Sequence, residues 1–316
     1  MAFRRRSRSL SSDDVLTRTF LQVRQNAPVT EFLSSSVWRT KAAAHRELTQ
    51  HITSAVRERS RAGKKHPIED FLWTYYSFKP AQFERWHPGF GISLEDADEY
   101  ADVRGYVFNN GVATVDPAFI ERRKESLLWI RNLLQQTAAR PAQFGCFGLH
   151  EWAMVYRREQ HEVRHEQAPL RLSSAEIAAV VESQELKCTH FDAFRFYVPE
   201  ARSLNHMLLT RESQMDLEQP GCLHANMDIY KWAYKCLPMI SSDFLVRAFE
   251  LAKDIRLLDM RAAPYDLREW GFSPVAIETV EGKAEYVRQQ REFSARAANL
   301  RNELLTSLNT IIAAAS

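Results

Sequence analysis

The chain has 316 residues, 45% of them hydrophobic, and sets 42 Lys/Arg against 40 Asp/Glu for a formal net charge of +2. That length can bury a substantial core, and no apolar run approaches the roughly 18 residues of a membrane span. The four cysteines lack any CxxC spacing, which argues against a disulfide framework and reads as reduced thiols in a cytoplasmic protein.

The near-neutral total hides an asymmetry, since residues 1–65 carry 14 basic and 5 acidic side chains and the remainder is net acidic. Residues 1–11 read as a disordered basic tail, with an Arg/Ser-rich organellar targeting segment as the alternative. Residues 12–316 read as a single mainly helical domain. A basic N-terminal part suits a polyanion such as DNA, and it equally suits the solvated face of a helix ending at Arg57, Arg59, Arg61, Lys64 and Lys65.

In chain order, the caps at 11–14 and the apolar spacing over 15–23 predict a first helix, followed by one over 36–61. Pro67 suits the first turn of a helix in the aromatic stretch 66–80, which a turn at 85–89 closes. Two alternating runs around Asn109, Asn110 and Gly111 predict a β-hairpin over 106–115. Helices are expected over 121–140, 150–167, 174–184, 227–236, 242–260 and 282–312, and a short strand over 187–198. The fold class is mainly α: a compact multi-helix domain with a small β-hairpin and strand element.

Three short phrases interrupt this pattern with His, Cys and acids among aromatics. They hold Cys146, His150, Glu151 and Trp152; then Cys188, His190 and Asp192; then Cys222, His224 and Asp228. Buried acids and imidazoles are unfavourable unless paired, hydrogen-bonded or coordinated, so three such phrases predict one polar site in an apolar interior. His224 and Asp228 at i and i+4 make either a ligand pair, with Lys231 two turns from His224, or a pair that fixes the helix start. Glu250 and Asp254 repeat that spacing. They are either neutralised by Arg247, Lys253, Arg256 and Arg261 or turned inward toward a cation. In the inward case a divalent metal, iron or zinc, would be held by His150, His190, His224, Glu250 and Asp254 in the manner of helical carboxylate centres, although the Glu-x-x-His signature of those centres is absent.

The run 161–165 spells HExxH, and a helix over 150–167 would align His150 with His161. Its neighbours Arg157, Arg158, Glu159 and Gln160 mark an exposed surface, not the buried helix a zinc hydrolase needs. No GxGxxG, Walker loop or GxSxG is present, so neither a nucleotide cofactor nor serine hydrolysis is expected. The aromatic run of Trp73, Tyr75, Tyr76, Phe78 and Trp86 is either plain core or a stack for a flat ligand.

The stretches 66–80, 144–157, 188–196, 218–235 and 259–266 resemble a bacterial and plastid family commonly labelled 3-methyladenine DNA glycosylase, and the resemblance extends from about Val37 to about Leu304. It implies that a cationic alkylated purine flips into a pocket of Trp73, Tyr75, Tyr76 and Trp152, with Arg195 and Lys231 also contacting substrate. Asp192, Asp228 or Glu151 would then orient water or stabilise the developing oxocarbenium, and the basic first 65 residues would hold phosphates. The competing expectation from the residues alone is a metal-dependent enzyme acting on a small molecule or pigment. A third is a ligand-binding protein without catalysis.

Overall fold

The structure is a computed structural model that describes residues 31–163, 165 and 167–315. The basic segment 1–11 and the helix expected over 15–23 lie outside the described residues. In chain order the elements are β1 (Glu31–Leu33), α1 (Ser35–Arg61), α2 (Phe71–Tyr75), α3 (Pro80–Phe83), β2 (Ile92–Leu94), β3 (Tyr106–Asn109) and β4 (Val112–Val115). They continue with α4 (Pro117–Ala139), α5 (Leu149–Met154), α6 (Ser174–Glu182), α7 (Phe191–Phe194), α8 (Pro199–Arg202) and α9 (Gln214–Leu217). The long helices α10 (Leu223–Lys235), α11 (Ser242–Ala262) and α12 (Val280–Ala314) complete the chain. The fold is mainly helical with one small sheet, as the sequence predicts.

Local chemistry explains most boundaries. The hairpin β3–β4 pairs Tyr106 with Val115 and Asn109 with Val112. Its two turn residues, Asn110 and Gly111, both take positive φ (49° and 83°), the mirror-image turn that matches strand twist. The sheet order is β1-β2-β4-β3, with β1 parallel to β2 and the other pairs antiparallel. The Asp116 carboxylate accepts from Ala118 N at 2.8 Å and Pro117 sits in the first turn, so α4 begins four residues before the sequence expectation. Ser173 and Glu176 form a capping box on α6.

Three expectations are corrected. The helix expected over 150–167 ends at Met154 and is followed by turns and a single 3-10 turn at Gln160–Glu162. Arg157 stands at φ +54°, which no α-helix accommodates. The strand expected over 187–198 is replaced by α7. Asn205 takes the ladder's place, its side chain accepting from Cys188 N at 2.9 Å and donating to Cys188 O at 3.1 Å. The aromatic helix starts at Phe71 instead of Pro67, because a closed turn precedes it: Asp70 accepts from His66 N at 2.8 Å, and His66 Nδ1 accepts from Glu69 N at 3.1 Å.

The apolar residues form one core running from Leu33 to Ile312. At its centre lies α10, whose residues 223–233 are all buried, packed against α11 and α12. The turn before α10 is held from several sides. Gln290 on α12 donates to Gly221 O at 2.7 Å, and Ser294 donates to Pro220 O at 2.8 Å. A Cβ on Gly221 would stand 2.3 Å from Gln143 O, so only glycine allows this approach. These contacts fix where His224 enters the interior.

Candidate metal centre

Two buried clusters meet at the start of α10. The first gathers His150 from α5, His224 from α10 and Asp259 from α11. His150 Nε2 lies 2.8 Å from Asp259 Oδ1, and the His150 and His224 rings cross edge to face with centroids 4.4 Å apart. Both atoms are buried, and neither has another side-chain hydrogen-bond partner among the described residues. A buried imidazole and carboxylate this close form an ion pair when the imidazole is protonated, and both are donor types that a metal ion takes in the proton's place. The other Asp259 oxygen, Oδ2, accepts from Arg256 Nη1 at 2.9 Å, and the same nitrogen donates to Glu151 Oε1 at 2.7 Å. Two carboxylates thus face one guanidinium, leaving a negative surplus that a proton on His150 or a metal ion would balance.

The electrostatics follow from that geometry. Burial works against a charge on His150, but Asp259 and then Glu151 outweigh it and raise its pKa. Burial and then the neighbouring His150 push His224 well below its ordinary value. Burial disfavours the Asp259 carboxylate as well, yet His150, His224 and Arg256 hold it well below the usual range.

The second cluster gathers His190, Glu218 and Asp228. His190 is fully buried, with Nδ1 3.1 Å from Glu218 Oε1 and Nε2 3.6 Å from Asp228 Oδ2. Its ring stacks on His224 at 5.4 Å and 22°. Burial opposes its charge, and Glu218 with Asp228 override that to raise its pKa. Here a cation is already built in. The Lys231 ammonium pairs with Asp228 and stands 3.2 Å from Asp192, and the Tyr76 hydroxyl donates to Asp228 Oδ1 at 2.6 Å. Burial opposes the Lys231 charge, but Asp228 and Asp192 raise its pKa. The first cluster is therefore the better candidate for a metal, and the second for a buried ion-pair network behind it.

A narrow cleft of about 20 Å³ opens onto the first cluster, lined by Glu151, His224 and Asp192 together with Phe71, Tyr75 and Phe196. That is room for about one water molecule. Asp192 also lines a larger outer groove of about 690 Å³ with Trp129, Arg211, Lys231 and Trp232.

The structure thus joins His150, His190, His224, Glu151, Asp192, Asp228 and Lys231, as the three sequence phrases suggest. It separates others. Glu250 is exposed and Asp254 pairs with Arg296 at 2.8 Å on the surface, so neither reaches the clusters. The helix phase explains this, since both acids lie opposite the buried stripe of α11. Trp73 packs on Phe83 and Phe249 at 5.4 and 5.1 Å. Trp152 is fully buried and donates to Ala262 O at 2.9 Å. Of the expected aromatic pocket, Tyr75 alone lines the cleft. Tyr76 instead serves Asp228, and Arg195 lies half-exposed, 3.3 Å from Asp192.

His161 and His165 do not share a helix face with His150, because α5 ends first. His165 Nε2 contacts Arg256 Nη2 at 3.2 Å. The cysteines are free thiols, and burial pushes Cys188 and Cys236 up to about 12, which suits small buried hydrophobes. At the C-terminal end of α1, Arg57 pairs with Glu84, and Arg59 with Glu69 and Asp70. Sequence reasoning missed Asp259 and Glu218, and it set Arg256 against Glu250 and Asp254, whereas Arg256 turns inward to Glu151 and Asp259. Across the whole chain, no protein-family model, no curated protein and no solved structure matches.

Proposed function

We propose that this protein is a metal-dependent enzyme in which His150, His224 and Asp259 hold one divalent ion, iron or zinc, for chemistry on a small molecule. One observation carries the reading: two imidazoles and one carboxylate converge in the interior, with one donor atom of each lying within 4.8 Å of the others. Two histidines and one carboxylate with open positions is the donor set of non-haem iron oxygenases, and the same set serves catalytic zinc. Arg256 on the far oxygen of Asp259 fills the place of an outer partner that orients a ligand. The cleft beside His224 supplies the open side, with Glu151 and Asp192 as nearby acids for proton transfer.

The resemblance to the glycosylase family supports a second reading, with Tyr75 stacking a flipped base and Asp192 or Asp228 acting at the sugar. Against it, the cleft holds about one water and must open widely for a purine. Two further features oppose it: Asp228 is fully buried under Tyr76 and Lys231, and Trp152 belongs to the core while Trp73 packs against it.

Elemental analysis of the purified, untagged chain separates the two. About one equivalent of iron or zinc, absent from His150→Ala and His224→Ala, is the expected result. A metal-free protein that refuses reloading and excises alkylated bases from DNA would reverse the choice.

A further inference from the structure

The outer groove continues past Arg123 and Lys235 into a second hollow of about 420 Å³ between α3, the segment before β3, α4 and the end of α10. Four cations line this hollow, Arg85, Arg104, Arg123 and Lys235, and no carboxylate does. None of the four forms an ion pair among the described residues, whereas most other arginines do, on acids such as Glu84, Asp70, Glu182, Glu278 and Glu303.

Two of these cations are also positioned. Arg104 and Arg123 stand over the Phe119 ring at 5.7 and 5.8 Å. Arg123 Nη2 donates to Lys235 O at 2.9 Å, which ties α4 to the end of α10. Phe78 stacks on Tyr234 at 4.8 Å and 17° along the same wall, and His87 lies buried at the base. Guanidinium groups braced on aromatic rings keep their donors aimed outward and lose little freedom when an anion arrives. Four unneutralised cations around one concavity repel one another, and an anion carrying two or more charges relieves that.

We infer that this hollow, a site separate from the metal centre, binds the phosphoryl group of a small phosphorylated molecule. The inference does not rest on the metal reading. A concave hollow of this volume suits a compact ligand, with a planar part able to reach Tyr234 or Trp129 along the groove. A long phosphate backbone fits less well, because the segment leading to Arg104 carries Glu95, Asp96, Asp98, Glu99 and Asp102.

The test is titration calorimetry of the full chain with inorganic pyrophosphate at low and moderate chloride. Saturable one-to-one binding is expected, weakened at least 10-fold in the double variant Arg85→Ala/Arg104→Ala and weaker at the higher salt. Both arginines are exposed, and circular dichroism of the variant checks that the fold persists. No saturable binding, or equal binding by the double variant, overturns the inference. So does duplex DNA that binds with a steep salt dependence, is lost in the same variant, and is not displaced by pyrophosphate. That outcome would make nucleic acid the occupant.

Discussion

Replacing Asp259 by Asn tests the metal centre most directly. The change keeps the side chain's shape and removes the charge that faces His150 at 2.8 Å and Arg256 at 2.9 Å. Arg256 retains Glu151 at 2.7 Å, so no buried guanidinium is orphaned. The loss is then that of a hydrogen bond to a charged group, about 1.5–3 kcal/mol, instead of the 3–5 kcal/mol, or roughly that, of an unpaired buried ion. Against a stability of roughly 5–15 kcal/mol the variant should fold. A bound ion at about 100 times its dissociation constant stabilises by about 2.7 kcal/mol. For a chain of this size, each kcal/mol is worth roughly 2–4 °C in Tm or slightly less.

Chelation should therefore lower the melting temperature of the wild type by several degrees and leave Asp259→Asn unmoved, with metal content falling in parallel. His224→Ala gives a cleaner control, because no hydrogen bond to either ring nitrogen exists among the described residues and only packing is lost. Equimolar metal retained in both variants would refute the ligand set. A wild type indifferent to both chelator and reloading with iron or zinc would refute the centre itself.

Glu250→Ala and Asp254→Ala, which alter acids at the surface of α11, should leave metal content unchanged and stability within about 0.5 kcal/mol in a denaturant titration. Tyr76→Phe removes the hydroxyl that donates to Asp228 at 2.6 Å. It should lower stability by about 1.5–3 kcal/mol while the protein keeps its metal, and coupled loss of metal would show the two clusters to be one. His87 is buried, and burial followed by Arg85 and His45 lowers its pKa to about 3. The unfolded chain takes up that proton near the ordinary value of about 6.5. Stability should thus be complete above that pH and fall as the pH drops toward 3, by up to about 1.4 kcal/mol per unit. His87→Gln should flatten this part of the acid-denaturation curve, and an unchanged curve would show that His87 is not its source.

The elements that follow from short-range chemistry were legible. The Asn110–Gly111 turn and the apolar periodicities of α11 and α12 are each decided by residues within one turn of one another. The misplaced elements were decided from further away. Alternation over 187–198 is present, but Asn205, 17 residues on, satisfies the backbone of Cys188 and the ladder is never built. The apolar spacing from His150 ends in the charged run Arg157–Gln160, which has no face to bury, so the helix loses the packing that would extend it.

The site shows the same division. The histidines were legible because each sits among aromatics where a polar side chain needs a reason to be. Asp259 was not, because spacing between acids drew attention to Glu250 and Asp254. The informative quantity was phase relative to the apolar stripe. On α11, Leu245, Ala248, Ala252 and Ile255 lie along the middle of the buried face. At 100° per residue, Asp259 falls within that face and lies half a turn from Glu250, nine residues earlier. A carboxylate on the buried stripe must meet a partner inside the protein, whereas two carboxylates a turn apart on the opposite face need only water and a surface arginine. Applied to α10, the same criterion selects Asp228 and Lys231, whose charges lie in a helix buried on every side and are answered there by each other, by Asp192 and by Tyr76.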